Sequence, residues 1–223
     1  MRASGSPSSL ARRVWRAGTD LVLPVRCLGC DRRAYAWCQQ CRSDALALQL
    51  REHPGGLRTV AACSYDGDVR EALLGYKERG RRDLAAPIGW LLQAAIDAAR
   101  DGLGDPLLVP MPSTSRAVRA RGGDHMVRLL RALPAPRPIV IALGARAGDD
   151  SAELSASGRR MARGTSMYAR RRVRELVGER DVLLVDDIVT TGSTLEKAHS
   201  LLRSAGARTI RAAVVAQTPK QVS

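Results

Sequence analysis

The chain has 223 residues and a mass of 24.0 kDa, enough for one ordinary core plus an appendage, and it needs no disulfides to reach a stable burial ratio. Its 45% hydrophobic and 26% charged residues exclude wholesale disorder, and no window approaches the ~20 apolar residues of a membrane span. The charge is lopsided: 36 Lys+Arg face 22 Asp+Glu, a formal +14 and a pI near 10.8, which points to a polyanionic or phosphate-rich partner. A compositional bias competes as the source of that charge, because 33 of the 36 cations are Arg, Phe is absent and Ala is abundant.

Residues 1–9, rich in Ser, Gly and Pro, read as a tail. Leu10, Val14, Ala17 and Leu21 recur at helical spacing and predict a short amphipathic helix. The apolar run Leu21–Val25 is too short for a secretory h-region, so the expected location is cytoplasmic. Cys27-Leu-Gly-Cys30 and Cys38-Gln-Gln-Cys41 follow, two CxxC pairs seven residues apart. A two-residue spacer lets both thiolates of a pair reach one ion at ~2.3 Å, so the four cysteines predict a structural Zn²⁺ with no open coordination position. An iron–sulfur centre, two disulfides and a redox CxxC are the competing readings. Gly29 is expected to give the first knuckle a flexible backbone. The break His53-Pro54-Gly55-Gly56 marks a boundary, giving an N-terminal helix and four-cysteine module over 1–53 and a second unit over 57–217.

Beyond the break, strand and helix patterns alternate. Strands are predicted at 60–65, 107–109, 138–143, 181–185 and 209–215, and helices at 69–79, 83–100, 124–133 and 193–205. Leu84, Ile88, Leu91, Leu92, Ala95 and Ile96 share one face of the second helix, and Cys63 falls in the first strand as a small core residue. Apolar runs separated by helices are the pattern of a mostly parallel sheet covered on both faces, an α/β fold.

The chemistry concentrates in Val182-Leu-Leu-Val-Asp186-Asp187-Ile-Val-Thr190-Thr191-Gly192-Ser193-Thr194. A strand runs into two carboxylates, then a loop of small hydroxyls and a glycine, then a helix. Such a junction collects unpaired N–H groups at the positive end of a helix, and Thr190, Thr191, Ser193 and Thr194 add hydroxyls. Gly192 lets the backbone approach closely, so the loop suits a phosphate dianion. The Lys of a nucleoside-triphosphate P-loop is missing. Asp186 and Asp187 stand about one sugar-width ahead, suited to accept hydrogen bonds from vicinal hydroxyls.

This stretch resembles the 5-phosphoribosyl-1-pyrophosphate (PRPP) signature of the type I phosphoribosyltransferases. With the CxxC…CxxC module in front, the chain resembles the ComF family of competence-associated phosphoribosyltransferase-like proteins from about Pro24 to Ala216. Tyr65-Asp-Gly67, Tyr76-Lys-Glu-Arg-Gly80, Val109-Pro-Met-Pro-Ser113, Arg121-Gly122, Leu154 and Arg159 stand in the family's order. The resemblance implies a type I phosphoribosyltransferase fold, a central mostly parallel sheet flanked by helices, with a small N-terminal zinc-binding module. It implies that Asp186 and Asp187 hold the ribose 2′- and 3′-hydroxyls and that residues 190–194 cradle the 5′-phosphate. Met111, Pro112 and Ser113 would receive pyrophosphate with Mg²⁺, Lys77 and Arg116 would contact it, and Arg159 would lie in a hood loop. The implied activity is pentosyl transfer to a nitrogen nucleophile with release of pyrophosphate. The alternative is a non-catalytic PRPP-sensing protein that binds single-stranded DNA and associates with DNA-uptake machinery. Arg159–Arg174, with seven Arg and no acid around Tyr168, favours that alternative, as do nine Arg against three Asp in residues 1–51. Asp124, His125, Ser151 and Ala162 depart from the family's pattern on the second-substrate side. His125, at a predicted helix start, is expected as a cap or surface residue.

Overall fold

The computed structural model describes residues 25–135, 137–146 and 166–219. The predicted N-terminal helix, Ser151, Leu154, Arg159 and Ala162 lie outside them. Helix α1 (Gln39–Ala45) follows the cysteines and leads into strand β1 (Gln49–Glu52); then come β2 (Arg58–Ser64), α2 (Gly67–Lys77), α3 (Ala85–Ala99) and β3 (Leu107–Pro110). After these lie α4 (Ser115–Ala120), α5 (His125–Arg131), β4 (Leu143–Arg146), β5 (Ser166–Ala169), α6 (Val173–Val177), β6 (Asp181–Val189), α7 (Ser193–Ser204) and β7 (Thr209–Gln217).

Five strands form one sheet in the order β1-β2-β7-β6-β3, parallel except for β1 at the edge. Period-2 alternation explains why the central strands read as continuous apolar runs. Leu183, Val185, Ala213 and Val215 face the α3 side, while Val182, Leu184, Ala212 and Val214 face the α7 side. The predicted stripe of α3 is wholly buried, from Leu84 in the preceding turn to Ile96. On the other face Leu195, Ala198 and Leu202 of α7 close a second core.

Three expectations change. The segment 138–143 is not a full strand: Ile139 makes a single parallel bridge to Leu108, and regular pairing starts only at Leu143. The predicted helix 124–133 is the shorter α5, preceded by the unpredicted six-residue α4. Strand β1 has no apolar pattern of its own, since Gln49-Leu-Arg-Glu52 holds one apolar residue, Leu50, which is exposed, and it takes its place through pairing with β2. The four-cysteine region packs onto the sheet: Trp37, Cys27 and Cys38 share a core with Ala62, Cys63, Val69 and Leu73. No described helix is long and apolar enough to cross a membrane.

Candidate functional site

Two clusters of chemistry emerge, one at each end of the described chain. In the first, the Sγ atoms of Cys27, Cys30, Cys38 and Cys41 all lie within 4.8 Å of one another, and Cys30 and Cys38 are 3.7 Å apart. A tetrahedron built on ~2.3 Å metal–sulfur bonds has edges of about 3.8 Å, so the four thiols fit a structural zinc ion. Burial pushes the Cys27 thiol up, but the N–H groups of Cys38, Cys30 and Gly29 outweigh it and bring it down to about 6. Gly29 is needed for space rather than for a left-handed backbone, since a Cβ there would overlap the Asp68 carboxylate and Cys41 Sγ; the positive φ values of this knuckle fall on Asp31 and Ala34 instead. Cys63 is the core residue expected, with burial raising its thiol to about 12.

The second cluster sits at the C-terminal edge of the parallel strands, where α/β sheets offer their ligand crevices. A cleft of about 480 Å³ is lined by Asp186, Asp187, Thr190 and Thr194 from the β6–α7 junction, by Met111, Pro112 and Ser113 beyond β3, by Lys77 at the end of α2 and by Tyr65 before it. Segments separated by a hundred residues thus meet as the sequence motifs require. Met111 is placed by its N–H, which donates to Val185 O at 2.8 Å. Within the loop, Gly192 has φ +93° and precedes α7, and the Thr191 and Ser193 hydroxyls are 3.1 Å apart.

The two acids behave differently. Burial and the neighbouring Asp187 charge push the Asp186 carboxyl well above the usual range. Burial also opposes the charge on Asp187, but His125 and Lys77 overcome it and hold that carboxyl below the usual range. Lys77 Nζ is 2.6 Å from Asp187 Oδ2 and His125 Nε2 is 3.4 Å from the same oxygen. His125 is therefore neither cap nor surface. Its residue is 6% exposed, and the cap of α5 is Asp124, whose Oδ1 accepts from the N–H groups of Met126 and Val127.

Arg116 is exposed on α4 and is not among the residues lining the cleft, whereas Arg121 is, braced by Glu78 Oε1 at 3.1 Å. Two contributors carry no local sequence signal. Arg51 on β1 donates from Nη1 to Thr190 O at 2.7 Å and from Nη2 to Thr191 O at 3.3 Å. The buried His53 imidazole lies against Gly192, where a Cβ would overlap it, and its Nδ1 is 3.5 Å from Glu196 Oε1. The segment that reads as a boundary thus braces the Thr190–Gly192 loop.

A mostly parallel five-stranded sheet between helices, with a strand–acid–loop–helix junction at its C-terminal edge, is the type I phosphoribosyltransferase fold, here with a four-cysteine cluster in front. Residues 126–223 match the family model of the phosphoribosyl transferase domain. Among solved structures, the chain is similar to an allosteric regulatory enzyme of purine biosynthesis at 17% identity and a TM-score of 0.38, over 59% of this chain and 26% of that one. It is similar to a hypoxanthine-guanine phosphoribosyltransferase from Bacillus anthracis at 15% identity and a TM-score of 0.36, over 62% and 71% of the two chains. A purine phosphoribosyltransferase from Pyrococcus horikoshii aligns at 23% identity and a TM-score of 0.33, over 60% and 78%. The chain thus spans about a quarter of the first of these proteins. No curated protein matches it by sequence.

Proposed function

We propose that the protein binds PRPP with Mg²⁺ in the cleft at the end of β6 and transfers the phosphoribosyl group to a nitrogen nucleophile, releasing pyrophosphate. The observation that carries this reading is convergence: the signature acids, the hydroxyl-rich loop and the Pro112–Ser113 segment, distant in sequence, line one cleft beside Lys77. The loop's backbone N–H groups and hydroxyls suit a 5′-phosphate, and a carboxylate ahead of them suits ribose hydroxyls. Asp186, Ser113, Thr190 and Thr194 present oxygen donors at the cleft, a set that fits a Mg²⁺ ion leaning mainly on its ligand's phosphates. Bound there, Mg²⁺ would neutralise charge on the leaving pyrophosphate. Loss of pyrophosphate leaves a cationic sugar, so cations aimed at the leaving group supply the catalysis and little protein base is needed.

The four-cysteine module over 1–53 and the phosphoribosyltransferase domain over 57–217 together support a ComF-like, cytoplasmic protein with structural zinc. A second reading rests on the exposed Arg170, Arg171, Arg172 and Arg174, which suit a single-stranded DNA backbone and a part in DNA uptake. Tyr168 offers that reading less than its sequence promised, because Arg146 covers its ring at 4.7 Å.

Calorimetric titration of PRPP with Mg²⁺ tests the primary reading. Wild-type protein is expected to bind, and Asp186→Asn or Thr194→Ala to weaken binding roughly tenfold or more. Equal affinity in both variants would discredit the cleft. Pyrophosphate release with a panel of bases and amines then separates turnover from sensing.

A further inference from the structure

Met111, Pro112 and Ser113 line two cavities: the cleft described above and a second one of about 510 Å³. The remaining walls differ. The second cavity is bounded by Val118 of α4, Val127 of α5, and Ile139, Ile141 and Leu143 on the segment that leads into β4. Its volume falls within the range of small-molecule sites. Ile141 is 40% exposed, so the apolar wall is open to a ligand.

Charge in this cavity is one-sided. Arg119, Arg131 and Arg170 line it, and the single acid among its lining residues, Asp124, has Oδ1 engaged by the N–H groups of Met126 and Val127. Among the described residues the neighbouring ion pairs run elsewhere, Arg121 to Glu78, Arg137 to Asp97 and Arg172 to Glu175, which leaves the three arginines without an acid. Arg170 is oriented by its Nε, which donates to Leu143 O at 3.1 Å. Guanidinium groups bind anions through paired N–H donors and stack on aromatic faces, and branched aliphatic side chains give a ring an apolar surface to cover. An aromatic ring bearing an anionic group satisfies both walls. A neutral ring leaves the cations uncompensated, and an inorganic anion leaves the apolar wall in water.

The shared segment makes occupancy of this cavity matter to the cleft. It is tied at both ends: the Met111 N–H donates to Val185 O at 2.8 Å, and Thr114 forms a parallel bridge with Ala145 while its Oγ1 accepts from the Ala117 N–H at 3.3 Å. Pro112 and Ser113 lie between the ties. We propose that the second cavity is an effector site for a small aromatic anion, which packs against Pro112–Ser113 and tightens the cleft's hold on a pyrophosphate-type ligand. The direction follows from ordering, because a span already ordered by one ligand costs the next ligand less to order. The identity of the cleft ligand rests on the PRPP reading above; the chemistry of the second cavity does not.

The test titrates the full-length protein with the fluorescent aromatic anion anilinonaphthalene sulfonate, with and without saturating pyrophosphate and Mg²⁺. Pyrophosphate is expected to tighten the probe about fivefold or more, and the probe to tighten pyrophosphate by the same factor, since such coupling is reciprocal. The double variant Arg119→Ala/Arg131→Ala and the single variant Ile141→Asp change exposed positions outside the cleft. Each should weaken the probe roughly tenfold and abolish the coupling, while pyrophosphate measured alone stays within about twofold. Equal probe affinity in wild type and both variants, or no reciprocal change, overturns the proposal. Competition distinguishes the sources of the ligand: displacement of the probe by adenosine monophosphate points to a nucleotide, displacement by benzoate alone points to an aromatic carboxylate, and displacement by neither overturns the ligand class. A dimer in sedimentation whose formation excludes the probe gives the cavity to a second copy of the chain and also overturns it. Wild-type protein that binds the probe but not pyrophosphate ends the PRPP reading and the coupling with it, whereas pyrophosphate binding without probe binding ends the effector site alone.

Discussion

Gly192 concentrates two physical demands in one residue. Its φ of +93° lies where side-chain-bearing residues are strained, and a Cβ would overlap the His53 imidazole. Gly192→Ala is expected to cost about 1–3 kcal/mol of stability through strain and displacement of His53, and to weaken binding of any phosphate ligand, measured by thermal melts and by titration. Arg51→Ala probes the same loop from outside. Losing its two hydrogen bonds to the Thr190 and Thr191 carbonyls should lower phosphate affinity several-fold with a stability change within about 1 kcal/mol, since Arg51 sits on an edge strand. The strand–loop–helix junction over residues 186–194 was legible in the sequence because it is contiguous. Arg51, His53 and the buried place of His125 were not, because each acts on a partner more than sixty residues away. His-Pro-Gly-Gly also carries every local mark of a chain break. Nothing local distinguishes a surface His at a helix start from one turned inward onto a carboxylate.

At the scale of elements, α7 begins just after the Thr190–Gly192 loop, and two buried histidines lie against it or on it. His53 meets it at Glu196, and His199 is buried on its inner face. Burial lowers both imidazoles below their usual value of 6.5, helped by Arg51 beside His53 and Arg203 beside His199. A base with a depressed folded-state value binds fewer protons folded than unfolded. Its contribution is therefore complete above about pH 6.5 and is lost as pH falls toward the folded-state values. Asp186, whose carboxyl is pushed upward, acts in the opposite direction. The readout is consequently a difference: His199→Gln should flatten the fall in melting temperature between about pH 7 and 5 relative to wild type, and parallel curves would remove His199 from the account. The regular elements themselves followed the periodicity closely where burial was complete. β6 and β7 run past their predicted ends because the parallel ladder continues through Asp186–Val189 and Ala216–Gln217, where Val189 and Ala216 remain buried in the two cores. β1, α4 and the 138–143 segment escaped because their place depends on a neighbouring strand or loop, not on a pattern of their own.

For the molecule as a whole, the alternation of apolar runs and helices was enough to define an α/β sheet, and the paired CxxC motifs to define a four-cysteine cluster. What the sequence could not convey was how the two join. Trp37, Cys27 and Cys38 are buried in one core with Cys63, Val69 and Leu73, Ala47 N–H donates to Ala62 O at 2.8 Å, and Arg42 lies over the Trp90 ring at 5.0 Å. The cysteine region is thus continuous with the α3 face of the sheet, and α1, which carries Cys41, runs directly into the strand that bears Arg51. A metal ion held by four such thiols would contribute many kcal/mol of folding free energy, and the shared core would couple that energy to the sheet. Purified protein is expected to hold one zinc per chain by elemental mass spectrometry, with no visible absorbance of an iron–sulfur centre. A strong chelator should lower the melting temperature of the entire chain in a single transition and disturb the near-ultraviolet signal of the tryptophans. Cys30→Ser should reproduce the shift, and chelation should add little to it, because both remove the same ion. Melting that is indifferent to the chelator would show that the four thiols hold no structural metal. Two separated transitions would show instead that the metal stabilises the cysteine region alone, and that the shared core does not carry its energy to the sheet.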